Sequence, residues 1–379
     1  MVDLAAQVEP LRAAIDEAIA RVVSSQRFIG GPEVEAFEAA MAGLCGSAFA
    51  VACASGSDAL LLALQAAGVG PGDAVLCPSF SFFATAGSVA RLGARPVFVD
   101  VDPETLVVGP EQAEAGRRVA PDARAIVPVD LFGRVAPIGA LLAWAEPHGI
   151  AVVEDAAQAL AGRDVDGVPA GGRAHATAIS FFPSKNLGAF GDGGLVATGS
   201  ETLAERVRSL RDHGLGPDGR HHLVGTNSRL DALQAAVLRV KVEHLDAWTK
   251  RRHDHADAYD RRFARAGAHV GGPADASRPL TTPPPVAAPG RHVHNQYVIR
   301  VEAKRRESLR ARLGDHGIET RIYYPRGIHE EPCFAGADAA SLPATRSAAA
   351  QCLALPIRPE LTPAERDEIA DRVIEGLGL

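Results

Sequence analysis

The sequence predicts an α/β fold with a mostly parallel sheet, followed by a smaller α+β domain, on three observations. Short apolar runs alternate with helical patterns through the first two-thirds of the chain. Those runs are nearly continuous in apolar residues, the pattern of parallel strands covered on both faces. At 379 residues the chain also exceeds the ~250–300 at which a single core stops growing, so a second domain is expected.

Taken in order, "MVDLAAQVEPLRAAIDEAIARVV" carries Asp3, Glu9, Asp16 and Glu17 through an apolar pattern. It reads as an amphipathic helix, not as a signal peptide or membrane span. "AFAVACASG" is a strand leading into the helix "SDALLLALQAAG". "DAVLCPSF" and "ARPVFVDVD" are strands separated by a helical stretch, and "RAIVPVDLFG" is a strand before the helix "PIGALLAWAEPHG". "IAVVEDAAQAL", "ATAISFF" and "GLVAT" add three strands, and a long helix is expected from about Asp231 to Ala266. The Pro/Gly-rich segment 271–290 is the clearest loop. A different rhythm follows: strand "NQYVIRVEA", helix "RESLRARLGDHG", strand-like "IETRIYYP" and a terminal helix "PAERDEIADRVIEGL". We divide the chain into a large α/β domain over 1–246, including the N-terminal helical segment, and a smaller α+β domain over 247–379.

Hydrophobic content of 47%, charged content of 22% and a net charge of −7 describe an ordinary globular protein. They leave no electrostatic footprint for nucleic acid or an anionic membrane. The five cysteines, Cys45, Cys53, Cys77, Cys333 and Cys352, are scattered without C-x-x-C spacing, which fits reduced thiols in a cytoplasmic protein.

In open α/β sheets ligands sit beyond the carboxyl ends of strands, where helix N-termini present free N–H groups. Three polar clusters fall there. Ser55-Gly56-Ser57 follows a strand and opens a helix, either as a phosphate cradle or with Ser57 as a plain N-cap. Asp155, with Gln158 near it, closes the strand "IAVV", either facing water or holding a cationic group. Ser180 and Lys185 end "ATAIS" and enter the glycine-rich "GAFGDGG". A lysine there is either solvated or desolvated, and a desolvated amine has a lowered pKa and can form a Schiff base.

Other motifs are set aside. There is no G-x-x-x-x-G-K-[ST], and "GLGPDG" (214–219) matches G-x-G-x-x-G but follows a helix and contains Pro217. The pairs His292/His294 and His253/His255 lack a third ligand in sequence, so no metal is expected.

Phosphate cradle, carboxylate and Schiff-base lysine are together the requirements of pyridoxal 5′-phosphate (PLP). The chain resembles the DegT/StrS-type sugar aminotransferases, fold-type-I PLP enzymes, nearly from end to end. "VEDAAQAL" and "SFFPSKNLGAFGDGG" carry the resemblance most strongly, supported by "GPEVEAFE", "SGSDALLLAL", "GDAVLCPSFSFFATA", "GARPVFVDVDPET" and "NSRLDALQAAVLRVK". The resemblance implies a three-layer PLP-binding large domain. It implies that Lys185 binds the cofactor's aldehyde, Asp155 pairs with its ring nitrogen and Gln158 contacts the ring near the 3-oxygen. Phe82 would stack on the ring, or else be core. Gly56, Ser57 and Ser180 would hold the phosphate, and Asn227 would reach the phosphate of a neighbouring subunit, making a homodimer with shared active sites. Tyr323 and His329, if not simply packed in the small domain, would touch substrate. The implied reaction moves an amino group from L-glutamate to a nucleotide-linked ketosugar in the cytoplasm, without nucleic acid or membrane partners. A keto-cyclitol acceptor is an alternative, as is a catalytically idle regulator that binds PLP or a sugar nucleotide. The chain departs from the family pattern at Ser57 (often Thr), at Tyr323-Tyr324-Pro325 (often His-Tyr-Pro) and at "GIHEEP", where many members have "PLHLQP".

Overall fold

The computed structural model describes residues 3–379. Seven strands form the main sheet: β1 (Phe49–Cys53), β2 (Ala74–Pro78), β3 (Arg95–Val99), β4 (Ala123–Ile126), β5 (Ala151–Asp155), β6 (Ala176–Ser180) and β7 (Gly194–Thr198). Their order is β1-β7-β6-β5-β4-β2-β3. Pairs β2–β3, β2–β4, β4–β5 and β5–β6 are parallel, and β7 runs against both its neighbours. The mostly parallel sheet expected from the sequence is present. Because β1 and β6 both oppose β7, their carboxyl ends share one edge with that of β5.

Alternate residues of each strand enter different helical layers, which is why the strands read as continuous apolar runs. In β2, Val75 and Cys77 pack with Leu60 and Leu64 of helix Gly56–Ala66 and with Val207 of helix Glu201–Leu210. Ala74 and Leu76 face Ala113 of helix Pro110–Val119 and Leu141 of helix Ile138–Ala145. The sheet thus lies between two layers of helices.

The second sheet has the order β11-β10-β9-β8, with β8 at His269–Val270, β9 at Leu280–Thr282, β10 at Tyr297–Val301 and β11 at Cys352–Leu355. Ile299 and Leu353 pack there with Tyr259, Leu309 and Val373, one from each of helices Leu245–Arg265, Ala303–Asp315 and Pro363–Leu377. Residues 338–340 also bond to the edge strand of the main sheet, Phe98 N–H to Asp338 C=O (2.8 Å) and Ala340 N–H to Phe98 C=O (2.8 Å). The segment between β10 and β11 is therefore tied to the main sheet at its β3 edge.

Four elements differ from the sequence reading. The N-terminal helix is interrupted by a 3₁₀ turn at Glu9–Leu11, where Pro10 has no N–H to continue the α ladder. The long helix expected over 231–266 is two helices, Ala232–Val242 and Leu245–Arg265. The first buries Ala235, Ala236 and Leu238 in the main domain's core, and the second buries Tyr259 and Phe263 against the small sheet, so no single axis serves both. The Pro/Gly-rich loop contains β9, whose three residues are all buried and whose Leu280 and Thr281 pair with β10. "IETRIYYP" forms no strand: only Arg321 bridges to Ala354, and the following tyrosines turn toward the main sheet.

Candidate active site

The shared edge of β1, β5 and β6 opens onto a crevice of about 650 Å³. Gly56, Ser57, Phe82, Asp155, Gln158, Ser180, Lys185 and Tyr323 all line it. Strand direction explains why Gly56, Asp155 and Ser180 converge, and Tyr323 joins them from a segment outside the main sheet.

The anion seat begins where β1 hands over to helix Gly56–Ala66. Ser55 is the N-cap, its Oγ accepting from Asp58 N–H at 3.1 Å, so capping does not fall to Ser57. Gly56 is required by close approach: a Cβ there would lie 2.5 Å from Ser180 Cβ and 2.8 Å from Ser180 Oγ. Without that Cβ, the positive end of the helix and the serines at 57 and 180 sit together, a ready seat for a phosphate.

Asp155 is 5% exposed. Its Oδ2 accepts from Thr85 Oγ1 (3.0 Å) and its Oδ1 from Ala157 N–H (3.2 Å). Burial pushes its carboxyl above the usual carboxylate range, while these two bonds and the Lys185 charge pull the other way. A cationic group brought into the crevice would relieve the remaining penalty. Burial also lowers the pKa of the Lys185 amine, with Asp155 partly opposing, so Lys185 gives up its proton more easily than an exposed lysine. Lys185 is half-buried in the crevice wall, which fits a desolvated lysine better than a freely solvated one.

The glycine-rich turn that carries Lys185 is held from below by helix Ala232–Val242. Phe190 N–H donates to Gln234 Oε1 (2.8 Å), and the buried Lys241 donates its Nζ to Gly188 C=O. Burial brings the Lys241 amine down to about 8. Sequence reasoning missed Gln234 and Lys241; the available signal was a lysine on the apolar face of "QAAVLRVK". It also missed Thr85, which bonds Asp155, and Tyr324, whose hydroxyl accepts from Gln158 Nε2 at 3.1 Å. Gln158 Oε1 accepts from Phe132 N–H (2.7 Å), so the amide is oriented at both ends.

Phe82 is 57% exposed at the rim, with its ring 6.3 Å from that of Tyr324, and it is not a core residue. Two sequence-predicted residues stand outside the crevice lining. His329 is turned toward β2, its Nδ1 2.6 Å from Ser79 Oγ. Asn227 is exposed and precedes the buried Ser228, whose Oγ donates to Asp58 Oδ2 at 3.0 Å. His292 and His294 stack at 4.0 Å between ring centres in the interior, where burial drives the pKa of both down, that of His294 to about 3. Among the described residues, no group of three His, Cys, Asp or Glu side chains is placed to hold a metal. Among the same residues no helix is long and apolar enough to cross a membrane.

Comparison with known proteins agrees with this chemistry. The model of the DegT/DnrJ/EryC1/StrS aminotransferase family matches residues 10–374. The chain belongs to this family. The aminotransferase is similar to a Geobacillus stearothermophilus protein described as a pleiotropic regulatory protein, with 44% identity over 99% of this chain and 97% of that one. It is also similar to the dTDP-3-amino-3,4,6-trideoxy-α-D-glucose transaminase of Streptomyces venezuelae, with 42% identity over 98% and 94% of the two chains. Among solved structures, S. venezuelae DesV in complex with a ketimine intermediate superposes with a TM-score of 0.89 at 40% identity, covering 100% of this chain and 98% of that one. The protein is a PLP-dependent transaminase. The residues present fit that cofactor: a seat that a Cβ at position 56 would fill, a buried carboxylate in need of a cation, and a desolvated amine, all on one crevice.

Proposed function

We propose that the aminotransferase moves an amino group from L-glutamate to the keto group of a nucleotide-linked sugar. The observation that carries the reading is the convergence of Lys185, Asp155 and the Gly56–Ser57 helix start on one crevice at the carboxyl edge of the main sheet. Several relatives are named as transaminases or aminotransferases of dTDP- and UDP-linked sugars, which supports this acceptor class. The relative described as regulatory raises a second reading, a protein that binds but does not turn over. A desolvated amine beside a buried carboxylate is of no use to a pure binding module, which speaks against that reading.

Bound PLP supplies the electron sink that lets an amino group leave one carbon skeleton and join another. Around it, the N–H groups that open helix Gly56–Ala66, with Ser57 and Ser180, would hold the phosphate. Asp155 would keep a negative charge against the ring nitrogen, with Thr85 and Ala157 fixing its oxygens. Gln158, anchored by Phe132 and Tyr324, would present its amide to the ring edge, and Phe82 would cover one ring face. Lys185 would bind the aldehyde covalently and, once released, carry a proton on Nζ between carbon atoms.

Donor and acceptor would use the same cofactor in turn. Initial rates with L-glutamate and a panel of UDP- and dTDP-linked ketosugars should therefore give parallel double-reciprocal lines. Intersecting lines would contradict the reading, and turnover with keto-inositols alone would move the acceptor to the cyclitols.

The working unit in this reading is a cytoplasmic homodimer, with the large domain over 1–246 and the small over 247–379. Asn227 is exposed and does not line the crevice of its own chain. Phe28, Ile29 and Phe190 are exposed beside the same helix start, Ile29 bridging Asp231 and Phe190 bonding Gln234. Such a patch is what a second copy would cover. Asn227→Ala should weaken PLP retention, measured as cofactor lost on dialysis, and dilution below the dimer dissociation constant should do the same to the wild type. A fully active monomer would overturn the shared site.

A further inference from the structure

Lys185 and Arg326 are the two cationic side chains lining the crevice, and the mechanism above uses only the first. Arg326 lines the crevice from the segment that follows Tyr323 and Tyr324. Its position is set by the turn after it. A 3₁₀ turn at Ile328–Glu330 brings Glu331 back so that Arg326 Nη1 lies 3.4 Å from Glu331 Oε1. The turn is pinned to the residue following β2: Ile328 N–H donates to Ser79 C=O at 2.7 Å and His329 N–H to Ser79 Oγ at 3.3 Å. Gly327 permits that approach, because a Cβ there would meet the His329 ring at 2.5 Å and Ser79 Oγ at 2.8 Å. Arg326 and Glu331 therefore reach one rim from a fixed base.

The pair itself is loose. The contact is long for an Arg–carboxylate bond, it uses one nitrogen of the guanidinium, and the side chains are 54% and 31% exposed. Exposed pairs of this kind are readily exchanged for another partner. A guanidinium has five donors in a fork that matches two oxygens of a carboxylate or phosphate, and one contact to Glu331 leaves most of that capacity facing the crevice.

We propose that Arg326 is the substrate-anion receptor of this active site and that Glu331 is its resident competitor, released when a carboxylate or phosphate of the substrate arrives. The proposal rests on the aminotransferase reading above. Two sources offer such oxygens: the carboxylate of the amino donor and the diphosphate of the acceptor. The exchange also makes the net charge change at the rim small, so selection turns on geometry: a bidentate oxyanion displaces a single-point carboxylate.

The test is equilibrium binding to PLP-loaded protein by titration calorimetry, with glutarate as the dicarboxylate probe and dTDP and UDP as the diphosphate probes. Arg326→Gln should weaken one probe class roughly 10- to 100-fold, the range expected for losing a hydrogen-bonded charge. Glu331→Gln should tighten the same class about two- to fivefold by freeing the guanidinium. Glu330→Gln removes an equal charge one residue away and outside the crevice lining, and should leave both classes unchanged. The class that responds identifies the substrate anion. The proposal is overturned if wild type binds neither class, if Arg326→Gln leaves both affinities intact, if Glu331→Gln weakens binding or leaves it unchanged, or if Glu330→Gln tightens it equally. The amino-donor half-reaction, followed in the same proteins by the loss of the cofactor's visible band with L-glutamate, keeps the two readings apart. A wild type that shows no spectral response fails as a transaminase, whereas unaltered probe affinities in a responsive enzyme fail the Arg326 assignment alone.

Discussion

Lys185→Ala is expected to remove the visible absorbance of the protein-bound cofactor and to lower transamination by at least about 10⁴-fold, since one residue serves as both covalent anchor and proton carrier. The geometry leaves no substitute. Of the four lysines in the chain, Lys250 and Lys304 are exposed and far along the sequence, and neither lines the crevice. Lys241 also has a lowered pKa, but its Nζ is engaged by Gly188 C=O beneath the turn and does not line the crevice either. The fold should tolerate the change, because Lys185 holds its turn through its backbone N–H to Phe182 C=O (2.8 Å) and not through its side chain. The measurements are the absorption spectrum after reconstitution, the rate with L-glutamate, and the thermal midpoint, which should stay within a few degrees of wild type. An active Lys185→Ala enzyme would refute the assignment.

Asp155→Ala should release PLP on dialysis and slow transamination by about 10²–10⁴-fold, the scale of a lost buried charge contact at a reacting group. Two opposing effects act on stability. Removing a carboxylate whose burial raises its pKa relieves a desolvation cost that grows with pH, because the folded state binds the proton more tightly than the unfolded one. Against this, Thr85 Oγ1–H and Ala157 N–H lose their acceptor, at about 1–3 kcal/mol for each group left unsatisfied. Asp155→Asn separates the two, since its amide oxygen still accepts one of these bonds while the charge is gone. It should match the alanine variant in rate and exceed it in thermal stability. Equal stability of the two variants would mean that the Thr85 and Ala157 bonds do not support the fold, and a wild-type rate in Asp155→Asn would mean that the charge is not what the site uses.

Much of this site was legible in the sequence because its main parts lie at the ends of strands, and strand ends can be read from apolar runs. Gly56, Asp155 and Lys185 each follow such a run, and a parallel sheet brings such ends to one edge. The supports were not legible. Thr85, Gln234, Lys241 and Tyr324 act on the site from 70 to 166 positions away or from the underside of a turn, and local spacing marks only Lys241, as a lysine on an apolar helix face, without saying what it holds. The split of the 231–266 helix depends on two sheets competing for its faces, and β9 forms inside a proline-rich loop because Thr281 pairs with Arg300 of β10. Both are tertiary effects that override local composition. The turn that sets Arg326 against Glu331 depends likewise on Ser79, some 250 positions away.

The most direct test of the account is to reduce PLP-loaded protein with borohydride, digest it, and locate the modified lysine by mass spectrometry. A single pyridoxyl adduct per chain on the peptide carrying Lys185 is the predicted result. An adduct on Lys241, Lys250 or Lys304 in its place, or no adduct on a protein that retains the cofactor, would contradict it.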